Sequence, residues 1–213
     1  MPPRSSVLVA ALVTLITSAG CEVTSAGDPG NPDPGAPPRS GGGAAALDTL
    51  TVAEARSMKG YSREKFPHWR DAGENCDVRD TVLKRDGDKV KFSGCNVVAG
   101  TWDSWYDGKK LDVPTQVDID HMVPLANAWR SGADGWTNDE RGDFANDLDR
   151  PQLFAVSASS NRSKGDQDPS TWKPPAKDAW CTYAEDWIEV KSYWKLTITQ
   201  KEKEALTDML GTC

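Results

Sequence analysis

The four cysteines that follow residue 47 constrain the fold more than any other feature of the sequence. They are Cys76, Cys95, Cys181 and Cys213. An even number of cysteines is typical of a protein that folds in an oxidising compartment and forms disulfide bonds there. Of the possible pairings, proximity along the chain favours Cys76–Cys95 and Cys181–Cys213, because each closes a short loop. A four-cysteine zinc site would need close C-x-x-C pairs, and the sequence has none.

Residues 1–20 have the pattern of a signal peptide, with Arg4 near the start and an apolar stretch from Val7 to Ile16. That stretch is too short to span a bilayer, which takes about 20 residues, and we expect no transmembrane helix elsewhere. Cys21, directly after Ala19-Gly20, resembles the cleavage site of bacterial lipoproteins, where the cysteine carries the lipid. This resemblance implies an extracellular protein anchored to the outer face of the cell membrane; free secretion, with Cys21 incidental, is the alternative.

Residues 21–46 are rich in Pro, Gly, Ser and Asp. Such a composition cannot bury enough apolar surface to become ordered, so we predict a disordered linker. The linker would hold one folded domain, residues 47–213, clear of a membrane. A length of 213 residues suits one domain with accessory segments.

The domain is predicted to be α+β, with short strands between helices. Three Thr-x-x-Glu capping boxes predict helix starts: Thr51–Glu54, Thr137–Glu140 and Thr199–Glu202. Apolar and amphipathic residues at helical spacing from Trp180 to Lys191 predict a helix with an aromatic face against the core. Alternation at Lys89–Phe92, with nearby glycines, predicts a hairpin between Val78 and Val98.

Two polar segments contain candidate catalytic residues. In the first, residues 117–124, a strand-like alternation brings Asp118, Asp120 and His121 together near a strand end. Carboxylate oxygens suit Mg²⁺, and a neutral imidazole is the best proton acceptor near pH 7. The second segment, residues 160–166, follows a strand-like run and contains polar and cationic side chains.

Neither segment is specific by itself. An EF-hand calcium loop is excluded for the first one, because Met122 stands where the next ligand would be. A lone Asp-His pair is usually a satisfied surface pair, and Asn161 with its cationic neighbours would usually be a solvated helix start. His68, in Pro67-His68-Trp69, is interpreted as a structural or surface residue and is left outside the site.

The combination and order of the two segments resemble a known family. Asp-Ile-Asp-His-Met-Val-Pro at 118–124, followed by Asn-Arg-Ser-Lys-Gly-Asp at 161–166, is similar to the HNH nucleases, also called ββα-metal or His-Me finger nucleases. The nuclease module of RNA-guided CRISPR effectors has similar motifs. The sequence more closely resembles small exported bacterial HNH proteins related to the C-terminal domain of GmrSD-type restriction enzymes, from about Tyr61 to Cys213.

This resemblance implies a ββα-metal finger with a helical insertion between its two strands. It assigns His121 as the base that activates water. Asp120 and the side-chain oxygen of Asn161 would hold one divalent metal. An asparagine at the late ligand position, where many members have histidine, favours Mg²⁺, with Mn²⁺ as the alternative, over zinc.

The resemblance also assigns the residues that support the metal and the base. Lys164 and Arg162 would contact the substrate phosphate. Asp118 would either add a ligand or support the site without touching the metal. Because neighbouring residues of a strand point to opposite faces, His121 can join Asp120 only if the strand ends there.

The insertion, residues 122–150, is too long for a hairpin loop and should contain helices. Arg130, Arg141 and Arg150 could guide a substrate, but six acidic residues offset them. We therefore expect this face to be solvated.

The predicted function is an exported endonuclease for DNA, with RNA as a further substrate, acting as a monomer with little sequence preference. The net charge of −7 weighs against strong binding, because phosphate contacts supply most of the affinity for nucleic acids. Two alternatives remain: a non-catalytic surface lipoprotein that serves as a binding module, and a hydrolase of another phosphodiester. A degenerate binding module should have lost the base or a ligand, yet His121, Asp120, Asn161 and Lys164 are all present.

Overall fold

The computed structural model describes residues 43–73 and 76–213. The predicted signal peptide, Cys21 and the linker up to residue 42 lie outside these ranges. Within them, none of the helices combines the length and apolar character needed to cross a bilayer.

Helices and short strands alternate along the described residues. The α-helices are α1 (Gly43–Thr49), α2 (Val78–Asp86), α3 (Leu125–Arg130), α4 (Asn138–Ala145), α5 (Ala158–Lys164), α6 (Trp180–Tyr193) and α7 (Gln200–Leu210). The strands are β1 (Asp71–Gly73), β2 (Cys76–Asp77), β3 (Gly87–Ser93), β4 (Asn96–Ser104), β5 (Lys109–Leu111), β6 (Val117–His121) and β7 (Leu153–Ser157). The predicted mixture of helices and short strands is confirmed.

The strands form small antiparallel sheets rather than one large one. β1 pairs with β2, β3–β4–β5 form a three-stranded sheet, and β6 pairs with β7. α5 begins directly after β7. The order along the chain is therefore β6, an insertion that carries α3 and α4, then β7 and α5.

Two apolar clusters cover the opposite faces of the β6–β7 ribbon. Phe154 and Val156 belong to the larger cluster, which is built by α1, α3, α4, α6 and α7. Leu153 and Ala155 belong to the smaller cluster, with α2 and β4–β6. β7 is buried along its whole length, so the ribbon is a fixed support between two packed layers.

The register of the ribbon places the first polar segment. Asp120 pairs with Phe154, and His121 pairs with Leu153, so their side chains start from opposite faces. β6 ends at His121, as the predicted site requires. The end of the ribbon is therefore where residues from both faces can meet.

Most of the predicted elements are confirmed. Thr137 and Thr199 begin α4 and α7 with complete capping boxes, and the helix predicted from Trp180 to Lys191 is α6. Both predicted disulfides are present, with Cα–Cα distances of 5.0 Å for Cys76–Cys95 and 5.1 Å for Cys181–Cys213.

The helix predicted from Thr51 is wrong. Residues 51–60 contain no helix, and Val52 instead forms a parallel bridge with Ile198. The Ala53 N–H donates to the Ile198 carbonyl at 2.9 Å, while the Ile198 N–H donates to Thr51. This tertiary pairing satisfies the backbone in an extended conformation and overrides the local capping signal.

Two predicted boundaries also need correction. The hairpin is β3–β4, but Val78–Asp86 is helix α2, started by a capping box between Asp77 and Asp80. The domain begins before residue 47, because α1 starts at Gly43. Three alanines before Leu47 have high helix propensity, and Leu47 itself is buried in the core.

Candidate functional site

A cleft of about 260 Å³ opens at the end of the β6–β7 ribbon, beside α5. Its lining residues are Tyr61, Arg63, Ile119, Asp120, His121, Pro124, Leu125, Ala126, Asn161, Arg162, Gly165 and Asp166. Four predicted site residues are among them: Asp120, His121, Asn161 and Arg162. Asp118 and Lys164 do not line the cleft but contact residues that do.

Asp120 is a buried carboxylate held by two donors. The Tyr106 hydroxyl and the Lys164 ammonium each donate to Oδ2 at 2.6 Å. Burial raises the pKa of Asp120, while Lys164 and then Tyr106 act in the opposite direction. Because both donors reach Oδ2, Oδ1 is the carboxylate oxygen that remains for a ligand.

Lys164 does not reach the cleft. Its side chain is 0% exposed, and its ammonium donates to Asp120 and to the His121 carbonyl at 2.7 Å. Burial lowers the pKa of Lys164, and the Asp120 charge opposes that change. The predicted contact with substrate phosphate is therefore not supported: α5 turns this lysine inward, where it ties the helix to β6.

His121 is buried at the rim of the cleft. Its Nε2 lies 2.9 Å from the Ala145 carbonyl. A carbonyl only accepts, so Nε2 carries the proton and Nδ1 carries the lone pair. Burial lowers the pKa of His121, the hydrogen bond to the Ala145 carbonyl opposes this, and the charge of Arg63 adds to the lowering, so that the pKa is about 3. The imidazole is therefore neutral, and Trp69 packs 5.7 Å from it, between ring centroids.

Asn161 is oriented by Asp118. The Asn161 Nδ2 donates to Asp118 Oδ2 at 3.2 Å, which directs the amide oxygen away from that carboxylate. Arg162 Nε lies 3.4 Å from the same oxygen, and the Arg162 side chain is 74% exposed. Asp118 thus contacts both α5 residues and orients the polar face of the helix.

Asp107 fixes the junction between β7 and α5. Its Oδ2 accepts hydrogen bonds from Ser157 Oγ at 2.6 Å and Ser160 Oγ at 2.8 Å. Ser157 also caps α5 by accepting from the Ser160 backbone N–H. Burial raises the pKa of Asp107, but hydrogen bonds from Ser157, Ser104, Lys109 and Ser160 together bring it below its usual range. The start of α5 is anchored by an ionised carboxylate.

Four residues at or behind the cleft were not identified from the sequence: Tyr61, Arg63, Tyr106 and Asp107. Tyr106-Asp107 lies in a turn after β4, in the run Trp-Tyr-Asp-Gly, and only the tertiary structure brings it to β6 and α5. Arg63 lies in a polar stretch without a motif. The predicted site therefore contains the residues of the two motifs but not the residues that support them.

The arginines of the insertion have structural contacts. Arg141 is buried and donates to backbone carbonyls of Lys65, Ala133 and Trp136, so the expectation that it is solvated is wrong. Arg130 pairs with Asp166 at 2.8 Å. These contacts fix the loops beside the cleft.

Arg150 closes the insertion. It pairs with Asp147 at 2.7 Å, and its guanidinium lies 3.8 Å from the centroid of the Tyr193 ring. Since Trp194 also donates to Asp147 at 2.9 Å, this corner is fixed against the end of α6. Arg150 therefore has a structural role, like Arg141.

The oxygen donors of the cleft fit a hard divalent cation. Asp120 offers Oδ1 and Asn161 offers its amide oxygen, which are ligands that Mg²⁺ accepts while it retains several waters. The cleft has space for such waters. A different group, Cys181, Glu185 and Cys213, is also close together, but its two sulfurs form a disulfide and are not thiolate ligands.

Comparisons with known proteins bear on this site. Residues 76–209 match a family model described as the C-terminal domain of GmrSD restriction endonucleases. An uncharacterized secreted protein of the fungus Arthroderma benhamiae is 52% identical over 168 residues, which is 78% of this chain and 82% of that protein. The bacterial origin implied by the motifs therefore stays a prediction. No solved structure matches the chain.

Proposed function

Because this chain belongs to the family of GmrSD restriction endonuclease C-terminal domains, we propose that it is a metal-dependent endonuclease of the HNH type. It hydrolyses phosphodiester bonds of DNA, with RNA as a further substrate. In this proposal β6, β7 and α5 form the ββα-metal finger. α3 and α4 form the helical insertion between its strands.

The observation that carries the proposal is the content of a single cleft. Asp120, His121 and Asn161 all line it, although they come from the end of a strand and from a helix about 40 residues later. Hydrolysis of a phosphodiester needs a proton acceptor and a group that neutralises charge on the phosphate. The cleft offers candidates for both.

His121 accepts the proton of the attacking water at Nδ1. The hydrogen bond from Nε2–H to the Ala145 carbonyl fixes the tautomer and the ring orientation. Because the pKa of His121 lies at about 3, the lone pair is available throughout the neutral range. The same ring then returns the proton to solvent or to the leaving oxygen.

Asp120 and Asn161 would hold one divalent metal, Mg²⁺ or alternatively Mn²⁺. Once bound, the metal would neutralise charge on the phosphate and on the leaving oxygen. Lys164 and Tyr106 keep Asp120 in place from behind, and Asp118 turns Asn161 toward the cleft. Arg162 is exposed beside them and contacts the substrate backbone.

We also propose that the protein is exported and acts as a monomer on extracellular nucleic acid. The two disulfides support an oxidising compartment, and the Arthroderma benhamiae relative bears the description secreted. A lipid on Cys21 would be its only attachment to a membrane. Mass spectrometry of the N-terminus in the native host would test that anchor.

The deciding experiment compares plasmid degradation by the wild type, His121→Ala and His68→Ala, each with Mg²⁺ and with EDTA. The chain has two histidines, and His68 does not line the cleft, so His68→Ala is a matched control. We expect metal-dependent cleavage by the wild type and the control. Loss of the base should reduce the rate by about 10²–10⁴-fold.

Other outcomes point to the alternatives. If the wild type leaves DNA and RNA intact with several divalent metals but hydrolyses a small chromogenic diester, the substrate is another phosphodiester. If it hydrolyses neither, the protein is a binding module. Equal cleavage by His121→Ala would remove this histidine from the mechanism.

A further inference from the structure

Arg63 is a cation of the cleft that no motif identified. It begins the short 3-10 turn Arg63–Lys65 and lines the cleft together with Asp120 and His121. Its side chain is exposed, and within residues 43–73 and 76–213 it forms no salt bridge. It lies in the segment before residue 76, where the family match begins.

The other cations near the cleft already have carboxylate partners. Lys164 is buried against Asp120. Arg130 pairs with Asp166, and Arg162 lies 3.4 Å from Asp118. Each of them is partly neutralised by an ion pair, whereas Arg63 has no ion-pair partner among the described residues.

The overall charge of the chain favours a role for such a residue. The chain has a net charge of −7, and its general field therefore opposes an approaching polyanion. An acidic protein can bind a phosphodiester only where cations are concentrated locally. The motifs suggest two phosphate contacts, Lys164 and Arg162. Because Lys164 is buried, only Arg162 of these two can reach a substrate in the cleft.

We propose that Arg63 binds a backbone phosphate of the nucleic acid at the cleft. This inference rests on the proposed nuclease function and adds a substrate contact to it. The planar guanidinium donates two parallel hydrogen bonds to phosphate oxygens, which an ammonium cannot reproduce. The site is therefore completed by the turn before β1, outside the segment that the family match covers.

The test separates binding from cleavage. In a His121→Ala background with EDTA, the affinity for a DNA duplex is measured over a range of salt concentrations, with and without Arg63→Ala. Loss of one phosphate contact should weaken binding at low salt and reduce the magnitude of the slope of log K against log salt by about 0.9. Arg63→Lys should retain the slope but bind more weakly than arginine.

Lys59→Ala is the matched control, because it removes the same charge from a nearby exposed position that does not line the cleft. It should leave the slope unchanged. In the active protein, Arg63→Ala should raise KM for plasmid more than it lowers kcat. Equal affinity and slope for Arg63→Ala and Lys59→Ala would overturn the role of Arg63. Absence of cleavage by the wild type would instead overturn the proposed function.

Discussion

Two buried lysine–carboxylate pairs occur in different parts of this protein. Lys164 pairs with Asp120 at 2.6 Å behind the cleft, and Lys191 pairs with Glu202 at 2.8 Å between α6 and α7. Both lysine side chains are 0% exposed. Burial lowers the pKa of each lysine, and in each case the partner carboxylate opposes the change.

The two pairs differ in what their carboxylates do next. Both oxygens of Glu202 are engaged: Oε1 accepts from Trp187 at 2.6 Å, and Oε2 closes the capping box of α7 with Thr199. Asp120 receives both of its donors on Oδ2 and lines the cleft. The carboxylate of the Lys191 pair is fully hydrogen-bonded within the core, whereas the carboxylate of the Lys164 pair leaves Oδ1 for a ligand.

This difference shows that the role of a buried ion pair can be assigned only from the groups that surround it. Removing two charges from water costs several kcal/mol per ion, and a well-packed apolar pair of similar volume would often be at least as stable. The Lys191 pair holds helices together, which is a structural role. The Lys164 pair fixes a carboxylate at the wall of a cleft and opposes the rise in pKa that burial causes, which suits a metal ligand.

The largest expected effect on stability comes from replacing the lysine of each pair. Lys164→Met and Lys191→Met each leave a buried carboxylate without its cation, and each should lower the free energy of unfolding by about 3–5 kcal/mol. Urea unfolding measures both losses. Only Lys164→Met should also abolish cleavage per folded molecule, because only Asp120 serves the cleft.

Double variants sharpen this test. Lys191→Met/Glu202→Gln and Lys164→Met/Asp120→Asn remove both charges while keeping acceptors for Trp187 and Tyr106. Each should regain much of the lost stability, but only the first should cleave DNA. Similar cleavage by the two double variants would contradict the distinction between the pairs.

The sequence could predict the strand and helix that carry the motifs, but it could not distinguish the two lysines. The family resemblance places Lys164 at the substrate, and a cation beside Asn161 in a polar segment has no local signal of burial that would correct this. Its burial depends on how α5 packs against β6, where Asp120 and the His121 carbonyl, both distant in sequence, accept hydrogen bonds from its ammonium. Arg63 carries no motif, and only the fold brings its exposed side chain to the cleft.

Local sequence signals also differ in how well they predict the secondary structure. Capping boxes at Thr137 and Thr199 predicted helices correctly, because both precede residues that pack on the core. The box at Thr51 failed, because a backbone pairing with Ile198 competes with the helix. Local signals are reliable where tertiary contacts agree with them.

Acid should destabilise the cleft region through His121, which adjoins the Lys164 pair. The pKa of His121 is about 3 in the folded protein against 6.5 as a reference value. Below pH 6.5 the unfolded chain takes up a proton that the folded protein does not, so stability falls as the pH falls toward 3. Between pH 6.5 and 4.5 the loss should be about 2–3 kcal/mol, at about 1.4 kcal/mol per unit.

Urea unfolding at both pH values in EDTA, for the wild type and His121→Gln, isolates this contribution. The variant should lose less stability on acidification by the same 2–3 kcal/mol, because its side chain does not titrate. An identical pH dependence in both proteins would mean that His121 is accessible to protons in the folded state.

The smallest expected effect separates the two pairs by their hydroxyl partners. Tyr106 donates to Asp120 Oδ2, and Ser131 Oγ accepts from Lys191 Nζ at 2.9 Å. Tyr106→Phe removes one hydrogen bond to a charged group, which costs about 1.5–3 kcal/mol at most. Ser131→Ala removes one such bond and also the donation from Ser131 Oγ to Asn127 Oδ1 at 3.1 Å. Tyr106→Phe should also slow cleavage, because Asp120 is then held by Lys164 alone, whereas Ser131→Ala should cleave at the wild-type rate once folded. Thermal unfolding and plasmid cleavage measured on the same samples check both statements, and equal cleavage by the two variants would mean that Lys164 alone is sufficient to orient Asp120.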